Sequence, residues 1–234
     1  MQVVDLGCGT GLCAPLFRPL ARYMVGIDLS PGMLAIARQQ RGHLYDALLQ
    51  GDGAETLLSL SASELRRRSR GSPSTGGSVD LVLAADVFVY VGELERTMRA
   101  CAHVLRVGGL LAFTVEELEL PPPALDAVSG TPETTTTQQQ QQRRRTDAHG
   151  QHRPRHELVL QASGRYAHSR AYVGRFFFHS SAEGEGEGEG EGGAGSASRT
   201  SHAAPFHLER EESVVVRHEA GVPVASVLFV LRKV

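Results

Sequence analysis

The chain of 234 residues has no tryptophan, three cysteines and a single lysine, Lys233. No apolar run approaches the roughly 20 residues needed to span a bilayer. We therefore expect no transmembrane helix and no association with a membrane. The net charge of -2 gives no overall attraction to nucleic acid. The three cysteines show no metal-ligand spacing, so we expect no metal ion and a reducing compartment. No leader pattern precedes the first strand, and we expect a cytoplasmic protein unless residues are missing upstream.

Apolar runs alternate with helical patterns through the first half of the chain. Strands are expected at 3–6, 24–28, 44–49, 79–85 and 110–116, and helices at 11–23, 31–40, 53–65 and 93–105. This alternation predicts an α/β fold, with a parallel sheet covered by helices on both faces. We interpret residues 1–234 as a single domain.

Low-complexity segments interrupt the second half. Residues 66–78, 117–155 and 181–204 are rich in Arg, Ser, Thr, Gln or a Glu-Gly repeat, and such compositions predict flexible insertions. Between them, residues 156–179 suggest a strand, a turn and a helix. Residues 212–217 and 222–231 suggest a hairpin turning at "EAGVP".

The glycine-rich stretch "VVDLGCGTGLCAPL" follows the first predicted strand and indicates a cofactor loop. A P-loop is excluded, because Gly11 is followed by Leu12 and Cys13 and not by Lys and Ser or Thr. A dinucleotide fingerprint needs a small third residue, where this chain has Leu12. Asp5 would repel a pyrophosphate but attract an ammonium.

S-adenosylmethionine has that ammonium and no phosphate. Its ribose hydroxyls need an acceptor at the end of the second strand, where Asp28 stands. An acid after the third strand could hold the adenine amino group, and Asp52 is placed there.

Five segments in succession carry a family resemblance: "VVDLGCGTGL", "GIDLSPGMLAIAR", "QGDGAETL", "VDLVLAADVFVYVGEL" and "LRVGGLLAFTVE". They resemble class I S-adenosylmethionine-dependent methyltransferases, similar to those attached to tetratricopeptide repeats. Segments like "ASGRYAHSRAYV" and "VRHEAGVPVASVLFVLRK" also occur in those proteins. The resemblance implies a Rossmann-like, mostly parallel seven-stranded sheet of order 3-2-1-4-5-7-6 with a C-terminal antiparallel hairpin. The helices that usually precede the first strand are lacking, so we expect a truncated chain or an open site.

The resemblance also implies a set of cofactor-binding residues along the carboxyl ends of the strands. These are Asp5, Gly7, Cys8, Gly9, Thr10, Gly11, Asp28, Leu29, Met33, Asp52, Gly53 and Ala85.

Candidates for the acceptor side lie in the same half of the predicted sheet. The catalytic candidates are Asp86, Tyr90 and His168, and the substrate-binding candidates are Glu116, Arg165 and Tyr166. Each has a structural alternative: a strand-end contact, a pocket wall, a solvated terminus or a helix start. Methyl transfer needs alignment first, and a base only when the nucleophile carries a proton.

These patterns predict a methyltransferase that moves a methyl group from S-adenosylmethionine to a small-molecule acceptor by in-line displacement, with a protein acceptor possible. A non-catalytic relative that acts as a binding module is the alternative. A nicotinamide-dependent oxidoreductase is disfavoured by Leu12 and by the lack of a Tyr-x-x-x-Lys pair, since Lys233 is the only lysine.

Overall fold

Ten strands form one mixed sheet in the computed structural model, which describes residues 1–60, 77–118, 157–178 and 205–234. The strands are β1 (Gln2–Leu6), β2 (Tyr23–Asp28), β3 (Ala47–Gln50), β4 (Val79–Ala84), β5 (Leu105–Glu117), β6 (Leu158–Leu160), β7 (Tyr166–His168), β8 (Phe177–Phe178), β9 (Phe206–Glu219) and β10 (Val222–Lys233).

Within these described ranges, five α-helices connect the strands: α1 (Ala14–Phe17), α2 (Pro31–Arg41), α3 (Gly53–Ser59), α4 (Glu95–Val104) and α5 (Arg170–Val173). Ser30 caps α2 as its sequence predicts, because its hydroxyl accepts from the Met33 N–H at 3.3 Å. The helix expected over 11–23 contracts to the four residues of α1, since Pro19 cannot donate to a helical carbonyl. None of the described helices is long and apolar enough to cross a membrane.

The sheet separates two cores. Val4 and Ile27 face α3 and α4, whereas Val3 and Met24 face α1 and α2. This alternation follows from the two-residue period of side chains along a strand. The helices therefore cover both faces, as expected for parallel strands with crossover connections.

The strand order is β3-β2-β1-β4-β5-β10-β9-β8. With β10 and β9 as the last two strands of the expected set, this order confirms the 3-2-1-4-5-7-6 prediction. β10 runs antiparallel to both β5 and β9, so the C-terminal hairpin is also confirmed. Over 156–179 the expected strand and helix are present as β6 and α5, whereas β7 and β8 were not expected.

Several boundaries differ from the sequence expectation. The third strand begins at Ala47, because Gly42–Leu44 forms a 3₁₀ turn after α2. β9 starts at Phe206, not at 212, because pairing with β10 extends down to Lys233. β5 runs to Glu117, inside the segment expected to be flexible. Most of the three predicted insertions, 66–76, 119–155 and 181–204, lies outside the described residues.

The β6–β7 hairpin extends the sheet at one end. β4 pairs with β5 as far as Phe113, and β7 then takes the same edge of β5 at Glu116 and Glu117. The hairpin therefore stands just beyond the carboxyl end of β4. This position brings "GRYAHS" next to the loop that leaves β4.

Candidate active site

A loop of three glycines joins β1 to α1. Gly7, Gly9 and Gly11 have φ values of 65°, 54° and 85°, in the left-handed region that side chains disfavour. A Cβ on Gly7 would lie 2.5 Å from a Val87 methyl group. The loop after β4 therefore closes directly against the glycine loop, and a larger residue at position 7 would separate them.

Asp28 ties the glycine loop to the end of β2. Its Oδ2 accepts from the Gly9 N–H at 2.8 Å, and its Oδ1 accepts from the Ser30 N–H at 2.8 Å. Each carboxylate oxygen has a second lone pair. The half-exposed carboxylate can therefore accept ribose hydroxyls as the resemblance implies, while it fixes the loop.

Asp5 lies in the core beneath the loop and is 2 % exposed. The Tyr45 hydroxyl donates to its Oδ2 at 2.7 Å. Burial raises the pKa of Asp5 to about 6, the Tyr45 hydrogen bond opposes this rise, and the Asp28 charge adds to it. Burial and the Tyr45 hydrogen bond to one oxygen place Asp5 beneath the loop, and its direct contact with an ammonium stays a prediction.

The other expected cofactor residues are distributed around the loop. Leu29 and Met33 are exposed beside Asp28, and Ala85 is exposed at the end of β4. The Thr10 carbonyl accepts from Arg41 Nη1 at 3.1 Å. Burial, with nearby Asp5 and Asp28 charges, raises the pKa of Cys8 to about 12, so its thiol is no nucleophile near neutral pH.

Asp52 stands at the start of α3, after β3. Its Oδ1 accepts from the Glu55 N–H at 3.0 Å and lies 4.0 Å from Arg96 Nη1. Asp52 is exposed, and a Cβ on the next residue, Gly53, would lie 2.9 Å from Leu6 Cδ1. The acid is thus a helix cap whose free oxygen remains accessible for the expected adenine contact.

The acceptor-side candidates meet around an arginine that sequence reasoning missed. Arg217 Nη1 donates to Asp86 at 2.7 Å, Nη2 donates to Glu116, and Nε donates to Glu219 at 3.1 Å. The Arg217 side chain is 14 % exposed and that of Glu116 is 7 % exposed. One nearly buried guanidinium on β9 thus joins the ends of β4 and β5.

Backbone geometry aims the Asp86 side chain. Its φ of 53° is in the left-handed region, where Asp is tolerated better than most residues. The Asp86 N–H donates to Thr114 Oγ1 at 2.9 Å. This turn directs the carboxylate to Arg217.

Arg165 forms the outer part of the cluster. Its Nη1 donates to Glu219, and its Cζ lies 5.8 Å from the centre of the Tyr90 ring. Tyr90 is 62 % exposed. Arg165 and Tyr90 therefore form an open, amphipathic wall; the substrate-binding role of Arg165 and the catalytic role of Tyr90 stay predictions.

His168 occupies a different position from the one expected of a catalytic base. It is fully buried, and its Nε2 lies 2.9 Å from the Gly92 carbonyl, so this nitrogen donates. Burial lowers its pKa. The Tyr166 ring packs under the same Gly92, where a Cβ would lie 3.0 Å from Tyr166 Cζ. Both side chains contact the loop after β4; His168 is fully buried and Tyr166 is partly exposed.

Tyr172 on α5 holds the other end of that loop. Its hydroxyl accepts from the Leu94 N–H at 2.8 Å, and its ring stacks on His168 with centroids 5.7 Å apart. We call residues 85–94 the β4–α4 loop. His168 and Tyr172 fix one end of this loop, while Val87 touches the glycine loop.

Four residues of the site gave no recognisable signal in the sequence. Tyr45 and Val87 look like ordinary core residues, and Arg217 and Glu219 look like polar positions of an amphipathic strand. The alternation in "VVVRHE" could have shown that Arg217 and Glu219 share one face of β9. Nothing in the pattern indicated that this face meets the ends of β4 and β5.

A cavity of about 370 Å³ lies elsewhere, between β2, β3 and α3, with Val25 and Leu49 in its wall. None of the candidate residues lines it. Among the described residues, no group of three or more His, Cys, Asp or Glu side chains could hold a metal ion.

The sheet order and the glycine loop define a class I methyltransferase fold. A crystal structure of an S-adenosylmethionine-dependent methyltransferase from Methanosarcina mazei matches 100% of this chain and 92% of its own, with a TM-score of 0.53 and 12% identity. The N-methyltransferase NodS from Bradyrhizobium japonicum, in complex with S-adenosyl-L-homocysteine, matches over 99% of this chain and 77% of its own, with a TM-score of 0.50 and 12% identity.

Sequence comparison gives the family. Residues 4–113 match the family model described as "Methyltransferase domain", so this part of the chain is a class I S-adenosylmethionine-dependent methyltransferase domain, as its motifs predicted. Malonyl-[acyl-carrier protein] O-methyltransferase of Pectobacterium atrosepticum is 32% identical over 113 residues, 48% of this chain and 38% of that protein. Ubiquinone biosynthesis O-methyltransferase of an Azoarcus species is 30% identical over 113 residues, which are 48% of this chain and 43% of that protein. The chain thus spans about two fifths of the length of these curated relatives.

Proposed function

We propose that this protein transfers a methyl group from S-adenosylmethionine to a small-molecule acceptor. The observation that carries the proposal is the left-handed glycine loop tied to Asp28 at 2.8 Å. It lies at the carboxyl ends of β1, β2 and β4, where the chain passes to opposite sides of the sheet. Open α/β sheets bind ligands at such a switch point.

In this proposal the glycine loop and Asp28 hold the methionine and ribose, and Asp52 and Gly53 hold the adenine. The Asp5 charge lies beneath the glycine loop and attracts the ammonium of the methionine. The acceptor enters between the β4–α4 loop and Arg165, with Tyr90 as an exposed wall. The named relatives that act on malonyl-[acyl-carrier protein] and in ubiquinone biosynthesis support an oxygen acceptor.

Methyl transfer depends more on the alignment of the two reactants than on a general base. The sulfonium is already a good leaving group, so the protein must align the acceptor atom with the methyl carbon and exclude water. Asp86 and Glu116 both pair with Arg217, and His168 is enclosed. An acceptor that is already ionised fits this arrangement, because it brings its own lone pair.

Isothermal titration with S-adenosylmethionine, S-adenosylhomocysteine and NADH tests the proposal. We expect micromolar binding of the first two, on the order of -8 kcal/mol, and none of NADH. Asp28→Asn should weaken binding about tenfold or more, because one charged acceptor is lost.

Glu209→Gln is the matched control, since Glu209 is an exposed acid paired with Arg232 far along β9. Binding of NADH, or equal affinity in the Asp28→Asn variant, would contradict the assignment. Tight binding of S-adenosylhomocysteine without methyl transfer to any acceptor would instead support the alternative, a binding module. The already paired Asp86 and Glu116 are the observation that favours this alternative.

A further inference from the structure

Glu219 is the last residue of β9, at the tip of the C-terminal hairpin. It precedes the turn of Ala220 and Gly221, whose φ values are 47° and 82°. Its side chain is 40 % exposed. Its Oε1 accepts from both Arg165 Nη1 and Arg217 Nε. A single carboxylate of the protein thus serves two guanidinium groups.

The tip of this hairpin is held less firmly than its base. β10 pairs with β5 only from Ser226 to Arg232, whereas it pairs with β9 as far as Val222. The β9–β10 register is also irregular between Pro223 and Ala225. A two-stranded ribbon without a third strand is only marginally stable, so the Glu219 end can move while the base stays in the sheet.

The two guanidinium groups are not equally satisfied. Arg217 keeps Asp86 and Glu116 if Glu219 leaves. Arg165 forms no ion pair other than the one with Glu219 among the described residues. Arg165 Nε is also buried and has no hydrogen-bond partner in the part of the chain that the structure describes. Arg165 is therefore the group that needs a replacement anion.

The charges of Arg165, Arg217, Asp86, Glu116 and Glu219 are consistent with replacement of Glu219 by a bound anion. Two arginines and three carboxylates give a net charge of -1 with Glu219 in place. Without Glu219 the remaining four groups are neutral, and a bound monoanion restores the original balance. Guanidinium groups match the planar shape of a carboxylate better than they match a point charge. The exposed Tyr90 ring beside Arg165 offers an apolar surface to the rest of such a molecule.

We propose that Glu219 occupies the place of the acceptor's own carboxylate, and that the acceptor is a carboxylic acid anchored between Arg165 and Arg217. The inference rests on the proposed function, since it names the chemical class of the acceptor at that same site. Glu219 fills the arginine pair when the site is empty and leaves it when the acid binds. The internal carboxylate thereby competes with weak or uncharged ligands.

Calorimetric titration of the protein saturated with S-adenosylhomocysteine tests this, with benzoate as the probe and benzamide as its uncharged analogue. We expect Glu219→Ala to bind benzoate about tenfold more tightly than the wild type, the factor expected if the arginine pair is free about one tenth of the time. Benzamide should bind equally to both. The gain should vanish in the double variant Glu219→Ala, Arg165→Gln.

Glu209→Ala is the matched control, because it removes an exposed ion-paired acid from the same strand. Circular dichroism melting checks that each variant folds, and Glu219→Gln, which keeps the shape and removes the charge, replaces Glu219→Ala if that variant does not fold. The proposal is overturned if benzoate affinity is unchanged in the Glu219 variant, if benzamide gains equally, or if inorganic phosphate gains more than benzoate. S-adenosylhomocysteine affinity is measured first on each sample, so failure of the cofactor assignment is distinguishable from failure of the acceptor assignment.

Discussion

Asp5 is a single buried residue whose ionised carboxylate lowers the free energy of unfolding. Its carboxylate is buried with one hydrogen bond, from Tyr45, and burial is unfavourable for its ionised form. The folded state therefore holds the proton of Asp5 to a higher pH than the unfolded chain does. Such residues are expected near functional sites, where electrostatic need outweighs stability.

Asp5→Asn should stabilise the fold above pH 6. The folded pKa is raised from 3.8 to about 6, so the wild type loses stability as pH rises between these values, by about 3 kcal/mol in all. The neutral amide escapes this loss and still accepts from Tyr45. Urea unfolding at pH 4 and pH 8 measures the difference between variant and wild type.

We expect the two proteins to be nearly equal at pH 4 and the variant to be more stable at pH 8. Cofactor affinity should fall in the same variant, because the negative charge under the loop is gone. A variant less stable than the wild type at pH 8 would show that the Asp5 charge stabilises the fold. Glu209→Gln, an exposed acid, should leave the pH dependence unchanged.

Among the elements, the β4–α4 loop depends most on contacts distant in sequence. His168 and Tyr172 bind its Gly92 and Leu94, and both come from the region after the second predicted insertion. At its other end Val87 packs against Gly7. The loop therefore connects His168 and Tyr172 with the glycine loop.

Removing either contact should loosen this loop. His168→Leu leaves the Gly92 carbonyl without its donor, and Tyr172→Phe leaves the buried Leu94 N–H without its acceptor. A buried polar group without a partner costs about 1–3 kcal/mol. Amide hydrogen exchange over 85–94 should increase in both variants, and S-adenosylhomocysteine binding should weaken.

The exchange of β2 and α2 serves as the internal control, since neither element touches these side chains. Unchanged exchange over 85–94 in both variants would exclude a positioning role for His168 and Tyr172. Strong protection of the loop combined with lost methyl transfer would restore His168 as a catalytic residue.

The sequence predicted the elements whose signals are local. The glycine loop, β2 ending at Asp28, the Ser30 cap and the C-terminal hairpin all depend on neighbouring residues. β7 and β8 were missed because they are two or three residues long and pair with the distant strands β5 and β9. Arg217 was missed for the same reason, because its partner Asp86 is 131 residues away in sequence.

At the scale of the whole molecule, aromatic side chains join the two halves of the chain. Phe229 on β10 is fully buried and stacks on Phe113 of β5 at 5.4 Å, and it contacts Phe177 of β8 at 6.0 Å. Phe88 of the β4–α4 loop packs on Phe113 at 5.0 Å. The N-terminal α/β half and the C-terminal hairpin therefore share one core.

Phe229→Ala should destabilise the entire sheet. We expect the free energy of unfolding to fall by about 3–5 kcal/mol, because the lost contacts leave a cavity. Phe229→Leu should cost less, and Val215→Ala, at an exposed position on β9, should stay within about 0.5 kcal/mol. Urea unfolding followed by circular dichroism measures all three; a small loss for Phe229→Ala would mean that the hairpin unfolds independently.

The position of Arg217 and Glu219 after Asp86 and Glu116 in the sequence has a consequence for synthesis. The glycine loop, Asp28, Asp52 and the β4–α4 loop are all synthesised before Arg165, Arg217 and Glu219, and their contacts with one another span at most about 80 residues. The arginine pair is complete only after the last hairpin closes over more than a hundred intervening residues, a slower and entropically costly step. A nascent chain would thus form the glycine loop before the arginine pair exists, so if both proposals hold, the part that binds the methyl donor folds before the part that selects the acceptor.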